Sequence, residues 1–187
     1  MSESPEPLSQ SALQPLLTAE QIDVAVERLA DQIATDHGNV SLVVIGILKG
    51  AFMFLSDLVR RLPMPVDIDF LQVASYGEAA SSSGVISLLK DIQMPIGDRH
   101  VLVIEDIVDT GVTLQYLLHR LSDHQPASLR SCCLLDKPAA RRVPMQVDYV
   151  GFEIDDHFVV GYGMDLAERY RNLPNIYTVS TDESAPT

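Results

Sequence analysis

The sequence predicts an α/β fold, an open and mostly parallel sheet flanked by helices. Val101–Leu102–Val103–Ile104 is an unbroken aliphatic run, the mark of a strand buried on both faces. Such runs alternate along the chain with stretches whose apolar residues recur at helical spacing, as in successive strand–helix–strand units. The 187 residues, 47% of them hydrophobic, suffice for one domain of this class with a sizeable core.

Residues 1–15 start acidic and Pro-containing and read as a flexible tail. Thr18–Ala19–Glu20–Gln21 then reads as a capping box, a hydroxyl at the N-cap with Gln three residues on. The helix behind it spaces Ile22, Val26, Leu29 and Ile33 along one face and stops near Gly38. Residues 42–47 form a buried strand that ends in Leu48–Lys49–Gly50, and a helix with Phe54, Leu55, Leu58 and Leu62 inward runs to Pro63. Residues 66–74, with Val66, Ile68, Phe70, Leu71 and Val73, form the next strand. Residues 75–84 are small and polar with nothing to anchor them, and 85–89 resume as a strand. The run at 101–104 leads into Glu105, Asp106 and Asp109, then into a helix with Leu114, Leu117, Leu118 and Leu121 on one face, ending near Asp123. Strands are expected at 128–135, before Asp136–Lys137–Pro138, and at 146–152. An extended segment with glycine bends covers 158–163, a short helix 166–171, and a strand at 176–179 closes the sheet. There are no internal repeats. Residues 16–180 read as one domain, with a small hood from the terminal segments (about 150–180 and the N-terminal segment) and a flexible tail at 181–187.

A net charge of −13 argues against a nucleic-acid-binding surface, which calls for clustered Lys and Arg. Cys132 and Cys133 are adjacent in an apolar run, which suits buried small hydrophobes in a reducing cytosol better than a disulfide framework. No apolar stretch approaches membrane-spanning length, and the first ten residues lack a signal peptide's basic start and apolar centre, so a cytoplasmic location is expected. His37, His100, His119, His124 and His157 show no metal-ligand spacing.

The chemistry concentrates at Glu105–Asp106–Ile107–Val108–Asp109–Thr110–Gly111–Val112–Thr113. A strand that ends in acids and turns through small hydroxyl residues into a helix suits a phosphorylated, metal-bound sugar. Free N–H groups and the helix dipole meet phosphate, while carboxylates take hydroxyls or Mg²⁺. In open α/β sheets, ligands bind beyond the carboxyl ends of the strands at a topological switch point. The segments carrying Lys49, Asp106 and Lys137 all leave strands at that end.

Residues 104–113 resemble the phosphoribosyl-pyrophosphate (PRPP) motif of the type I phosphoribosyltransferases, and more narrowly that of the hypoxanthine-guanine phosphoribosyltransferases. The resemblance covers nearly the whole chain after the first fifteen residues or so, with the motifs in the family's order. Leu48–Lys49–Gly50 resembles the pyrophosphate loop, whose Leu–Lys peptide can be cis in the family, and Ser75–Tyr76–Gly77 the start of the mobile lid. Leu135–Asp136–Lys137 resembles the purine-reading strand; Val150–Gly151–Phe152–Glu153–Ile154 through Phe158 to Asp165, and Tyr170–Arg171–Asn172–Leu173, resemble the hood. Two departures stand out: Val112 occupies a position where some members carry a cation, and Leu71–Gln72–Val73–Ala74 lacks basic residues found in some, which resembles the bacterial form.

The resemblance implies transfer of a phosphoribosyl group from PRPP to hypoxanthine or guanine, giving IMP or GMP and pyrophosphate, with Mg²⁺ as cofactor. It implies ribose or Mg²⁺ contacts for Glu105 and Asp106, a general base or acid in Asp109, which also belongs to the PRPP-binding set, and a 5′-phosphate cradle of Thr110, Gly111 and Thr113. Lys49, Gly50 and Arg171 would meet pyrophosphate, Asp165 a second Mg²⁺, and Lys137, Phe158 and Val159 the purine, with Ser75 and Tyr76 opening the lid at 76–84. Each residue also has a plainer local reading: Glu105 and Asp106 as acids capping the next helix, Asp109 in its first turn, Thr113 as its N-cap. Likewise Lys49 reads as a solvated loop lysine, Lys137 as a partner of Asp136 or a surface lysine, and Phe158 as core. Asp165 and Arg171 read as a surface pair, Arg141 and Arg142 as a solvated pair or subunit contact, and 76–84 as a passive linker. The family is commonly dimeric or tetrameric, so a homodimer or homotetramer is expected, with no nucleic-acid or membrane partner. Competing readings are a transferase for xanthine or a pyrimidine, and an RNA-binding regulator on the same fold, which would need a basic face.

Overall fold

The computed structural model describes residues 13–75 and 86–179. Its elements in chain order are β1 (Leu13–Leu17), α1 (Ala19–His37), β2 (Leu42–Leu48), α2 (Phe52–Val59), β3 (Val66–Ser75) and β4 (Ile86–Lys90). There follow β5 (His100–Val108), α3 (Val112–Ser122), β6 (Ser128–Asp136), β7 (Tyr149–Glu153), β8 (Val159–Val160) and β9 (Ile176–Val179). Six strands form one sheet in the order β4-β3-β2-β5-β6-β7, parallel except where β4 meets β3. The other three form a separate antiparallel sheet, β1-β9-β8.

Burial follows from period. Thr18 caps α1 reciprocally with Gln21, and Ile22, Val26, Leu29 and Ile33 are all buried, each side chain contributing about 1.5–3 kcal/mol of apolar transfer. Successive residues of the central strands serve opposite layers. Leu42 and Val44 of β2 and Leu102 and Ile104 of β5 pack with α1 and α2. Val43, Ile45, Val101 and Val103 pack on the other face with Leu114, Leu117 and Leu121 of α3. Cys132 and Cys133 of β6 divide the same way, both buried and free. No helix among the described residues is long and apolar enough to cross a membrane.

Several sequence expectations need correction. Residues 13–15, read as part of the tail, belong to β1, ordered by pairing Leu13 with Val179 and Gln14 with Thr178. The strand at 176–179 completes that small sheet rather than closing the main one. Residues 166–171 are a turn, not a helix: Ala167, Glu168 and Tyr170 have φ of 49°, 64° and 73°. The Asp165 carboxylate accepts the Glu168 N–H at 2.8 Å, a side-chain bond that competes with helical hydrogen bonding. On β3, Ile68 is 39% exposed while Asp69 is buried, its carboxylate accepting the N–H groups of Gln93 and Met94 at 2.6 and 2.9 Å. Residues 1–12 and 181–187, expected as tails, and residues 76–84, expected as a lid, lie outside the described residues.

His37, in the last turn of α1, is 9% exposed and meets His100 edge-on with ring centroids 6.3 Å apart. Burial, and then the charge of Arg130 and the neighbouring His100, hold His37 below the usual histidine range. In the unfolded chain it would take a proton near pH ~6.5. The folded state therefore binds fewer protons there, and its stability is expected to hold above about pH 6.5 and to fall as the pH drops through the lower folded value. Urea midpoints measured between about pH 7.5 and 5 should show this slope, and His37→Gln should flatten it. An identical slope in the variant would place the titration on another group.

Candidate active site

At the carboxyl end of the sheet, β2 lies between β3 and β5, so the chain turns to opposite sides on leaving it and its neighbour. The crevice opened there has a volume of about 210 Å³ and is lined by Gly50, Glu105, Asp109, Thr110, Gly111 and Thr113 among others. β5 does not stop at its acids, as the sequence suggested. Its ladder with β6 runs on to Val108 opposite Asp136, which carries Glu105 and Asp106 inside the sheet.

Burial is the largest influence on both carboxyls, and it pushes Glu105 well above the usual range and Asp106 up as well; the adjacent Asp106 charge adds to the effect on Glu105. Glu105 Oε2 is buried with no hydrogen-bond partner, and Asp106 is 8% exposed. Neither acid caps α3, so that local reading falls. Gly111 is the N-cap, in the left-handed region at φ 80°, with no side-chain cap, and the first turn holds no acid. Asp109 thus precedes the helix and Thr113 sits inside its first turn, rather than serving as first-turn acid and N-cap. The first amides of α3 have no intrahelical acceptor and face the crevice end, with Thr110 Oγ1 accepting from Val112 N–H at 3.4 Å.

Two glycines set close approaches. A Cβ on Gly50 would come within 1.8 Å of Asp106 Oδ2, and one on Gly163 (φ 102°) within 2.1 Å of the Gly50 carbonyl oxygen. The segment after β8 is thereby laid directly on the Leu48–Lys49–Gly50 loop, where the Leu48–Lys49 peptide is cis. An ion network joins the two segments. Lys49 Nζ lies 2.9 Å from Glu168 Oε2, and Arg171 pairs with Asp165 at 2.7 Å and with Glu168 at 3.5 Å. On the other side of the crevice Lys137, 5% exposed, faces Asp156 at 3.2 Å and Asp109 at 3.7 Å, not Asp136. Asp136 is taken by Arg141. Four of the chain's 13 lysines and arginines (Lys49, Lys137, Arg141 and Arg171) therefore gather here, despite a net charge of −13.

Residues 14–167 match the family model described as the phosphoribosyl transferase domain. The chain belongs to the phosphoribosyltransferase family. It is 46% identical over 170 residues to the hypoxanthine-guanine phosphoribosyltransferase of Mycobacterium tuberculosis, covering 88% of this chain and 84% of that protein. A crystal structure of a hypoxanthine-guanine phosphoribosyltransferase from Bacillus anthracis superposes with a TM-score of 0.85 at 46% identity, over 89% of this chain and 98% of the other. That of a Staphylococcus aureus hypoxanthine phosphoribosyltransferase gives 0.89 at 41% identity, over 94% and 96%. The hypoxanthine-guanine branch of the phosphoribosyltransferases is therefore where this chain lies.

In this phosphoribosyltransferase the fold brings most of the sequence-predicted residues to one crevice and its rim. Glu105, Asp109, Thr110, Gly111, Thr113 and Gly50 line it, Asp106 abuts Gly50, and Lys137 faces Asp109. Lys49, Asp165 and Arg171 join, through Glu168, in one ion network over the Leu48–Lys49–Gly50 segment. Val159 is buried in β8, whereas Phe158 stands 47% exposed just before it, so it is not a core residue. Ser75 ends β3 opposite Ile86, and Tyr76 lies outside the described residues. Sequence reasoning missed three charged neighbours: Asp156 beside Lys137, Glu168 between Lys49 and Arg171, and Arg141, which is held at the strand ends rather than solvated. Asp156 and Glu168 sit in loops without a periodic pattern; the basic pair after Pro138 was the only signal for Arg141.

Proposed function

We propose that this chain transfers the 5-phosphoribosyl group of PRPP to a 6-oxopurine, hypoxanthine, guanine or both, forming IMP or GMP and pyrophosphate. The observation that carries this reading is a buried lysine facing an exposed aspartate, Lys137 and Asp109 3.7 Å apart, just before a helix N-terminus that no N-cap side chain closes. A lysine only donates, so a carbonyl at the 6-position is favoured and an amino group penalised. The bond between the ribose anomeric carbon and pyrophosphate breaks, the bond from that carbon to an imidazole nitrogen of the base forms, and Asp109 takes the proton the imidazole loses. Thr110, Gly111 and Thr113 hold the 5′-phosphate; Gly50 and Lys49, with Arg171, hold the departing pyrophosphate. Phe158 stacks on the base and Val159 offers backbone hydrogen bonds.

Mg²⁺ fits the donor set present. Two adjoining buried carboxyls, one with an unpartnered oxygen, are short of positive charge at Glu105 and Asp106. Among the described residues no cluster of three or more His, Cys, Asp or Glu could hold a metal. That suits an ion bound by one or two carboxylates and completed by substrate oxygens and water. When bound, Mg²⁺ would take ribose hydroxyls as ligands and neutralise charge on pyrophosphate, with Asp165 as the candidate ligand of a second ion. The proposal extends to a cytoplasmic homodimer or homotetramer in which residues 16–180 act as one domain and the β1-β9-β8 sheet serves as the hood.

Incubation of the pure protein with PRPP, Mg²⁺ and hypoxanthine, guanine, xanthine or adenine, scored for nucleotide and pyrophosphate, tests the reading. Turnover with hypoxanthine or guanine is expected; none with either would overturn it, and turnover with xanthine alone would move the assignment to that base. Lys137→Ala should reduce the preference for a 6-oxo over a 6-amino purine by about 10- to 10²-fold, the worth of a hydrogen bond to a charged group. An intact preference would mean that another residue reads the oxygen.

A further inference from the structure

Arg141 stands where the ends of β5 and β6 meet, and its guanidinium is shared between them. One terminal nitrogen donates to the carbonyl of Val108 at 2.8 Å and also to the carbonyl of Asp109. The other donates to the Asp136 carboxylate. The two side chains of that ion pair are 15% and 11% exposed, so the pair is largely removed from water. Nearby backbone bonds tighten the same corner: Lys137 N–H donates to Val108 O at 2.9 Å and Arg142 N–H to Thr110 O at 3.0 Å. The stem of Arg141 passes over Gly111, where an added Cβ would come within 3.2 Å of Arg141 Cδ.

The β5–β6 ladder ends at Val108 opposite Asp136. It therefore stops one residue short of both Asp109 and Lys137. Beyond that point the Lys137 N–H to Val108 O bond joins the strand ends once more, and Arg141 adds a side-chain tie to both. It grips Asp109 by its own carbonyl and Lys137 through the carboxylate of the residue before it.

We propose that Arg141 is the positioning residue that sets the separation between Asp109 and Lys137. The inference rests on the reading that these two side chains flank a 6-oxopurine. On such a base the 6-oxygen and the nearer imidazole nitrogen are neighbours on one edge. The donor to one and the proton acceptor for the other must then be held at a fixed spacing. Arginine suits the task because its planar fork carries five donors and serves two carbonyls and a carboxylate together; a lysine ammonium is a point charge that cannot keep all three in place.

The test places Arg141→Gln and Arg141→Lys in the wild-type chain and in an Asp109→Asn background. It measures kcat, KM for hypoxanthine, KM for PRPP and thermal melting. In the wild-type chain Arg141→Gln is expected to lower kcat by about 10²-fold, the scale of a displacement near an ångström. KM for PRPP should stay within about 3-fold, and Arg141→Lys should recover part of the rate. In the Asp109→Asn background the same substitution should cost less than about 3-fold, because a residue acting through Asp109 then has little left to position. Equal losses in the two backgrounds, or a KM for PRPP that rises as much as kcat falls, would overturn the proposal. If Arg141→Gln does not fold, Arg141→Lys, which keeps a cation beside Asp136, supports the same comparison. A wild-type chain inactive on both hypoxanthine and guanine would overturn the functional reading and this proposal together; an active one with additive variants would overturn this proposal alone.

Discussion

Gly50→Ala is expected to remove most of the transferase activity, lowering kcat/KM for PRPP by about 10²-fold or more, while the sheet stays folded. The added methyl would lie 1.8 Å from Asp106 Oδ2 and 2.4 Å from its Cγ, so that carboxylate must move. It has little room, being only 8% exposed within β5. The glycine cannot retreat the other way either, because its carbonyl lies directly under Gly163. Overpacking of this kind costs about 1–3 kcal/mol of stability, which a single domain of ordinary stability survives. The loss should therefore appear in PRPP kinetics rather than as an absence of folded protein, and circular dichroism with steady-state assays separates the two. Near-normal kcat/KM would show that Asp106 can swing aside and that its place against Gly50 is dispensable.

Asp109→Asn is expected to reduce kcat by about 10²-fold, the usual worth of a positioned proton acceptor, with KM for PRPP little changed. The substitution keeps the shape of the side chain and removes its ability to take a proton. Its stability cost should be small, since the Asp109 side chain is 51% exposed and its pairing with Lys137 spans 3.7 Å. Steady-state rates with hypoxanthine, alongside PRPP binding measured by calorimetry, decide the point. An unchanged kcat would take Asp109 out of the chemistry and leave the proposed recognition of the base to Lys137.

The elements legible in the sequence are those whose signal is local. The capping box of α1 and its period of buried residues appear as read, because a helix cap is written within four residues and a helix face within a few turns. The buried run of β5 and the leucines of α3 also appear as read, apart from the extension of the strand through its acids to Val108. β1 was missed because its order comes from β9; Thr178 bonds to Gln14 across 164 residues of sequence. The turn at 166–171 was misread because a short amphipathic stretch resembles a helix, whereas Asp165 captures the Glu168 amide and the φ angles turn positive. Asp69 broke the expected alternation of β3 because backbone N–H groups from the 91–99 connection fill its carboxylate.

The candidate site divides along the same line. The residue types at Lys49, Glu105, Asp106, Asp109, Lys137, Asp165 and Arg171, in their order along the chain, were enough for the sequence to point to a phosphoribosyltransferase crevice. Their partners were decided only by the tertiary structure. Lys137 faces Asp109 and Asp156 rather than the adjacent Asp136; Asp136 belongs to Arg141; and Arg171 is shared by Asp165 and Glu168. Hydrophobic periodicity and capping act between near neighbours in the chain, so they are visible in sequence. Charge pairing and desolvation depend on distance in space and on what excludes water, and these exist only once strands β5 and β6 and the segment after β8 have come together.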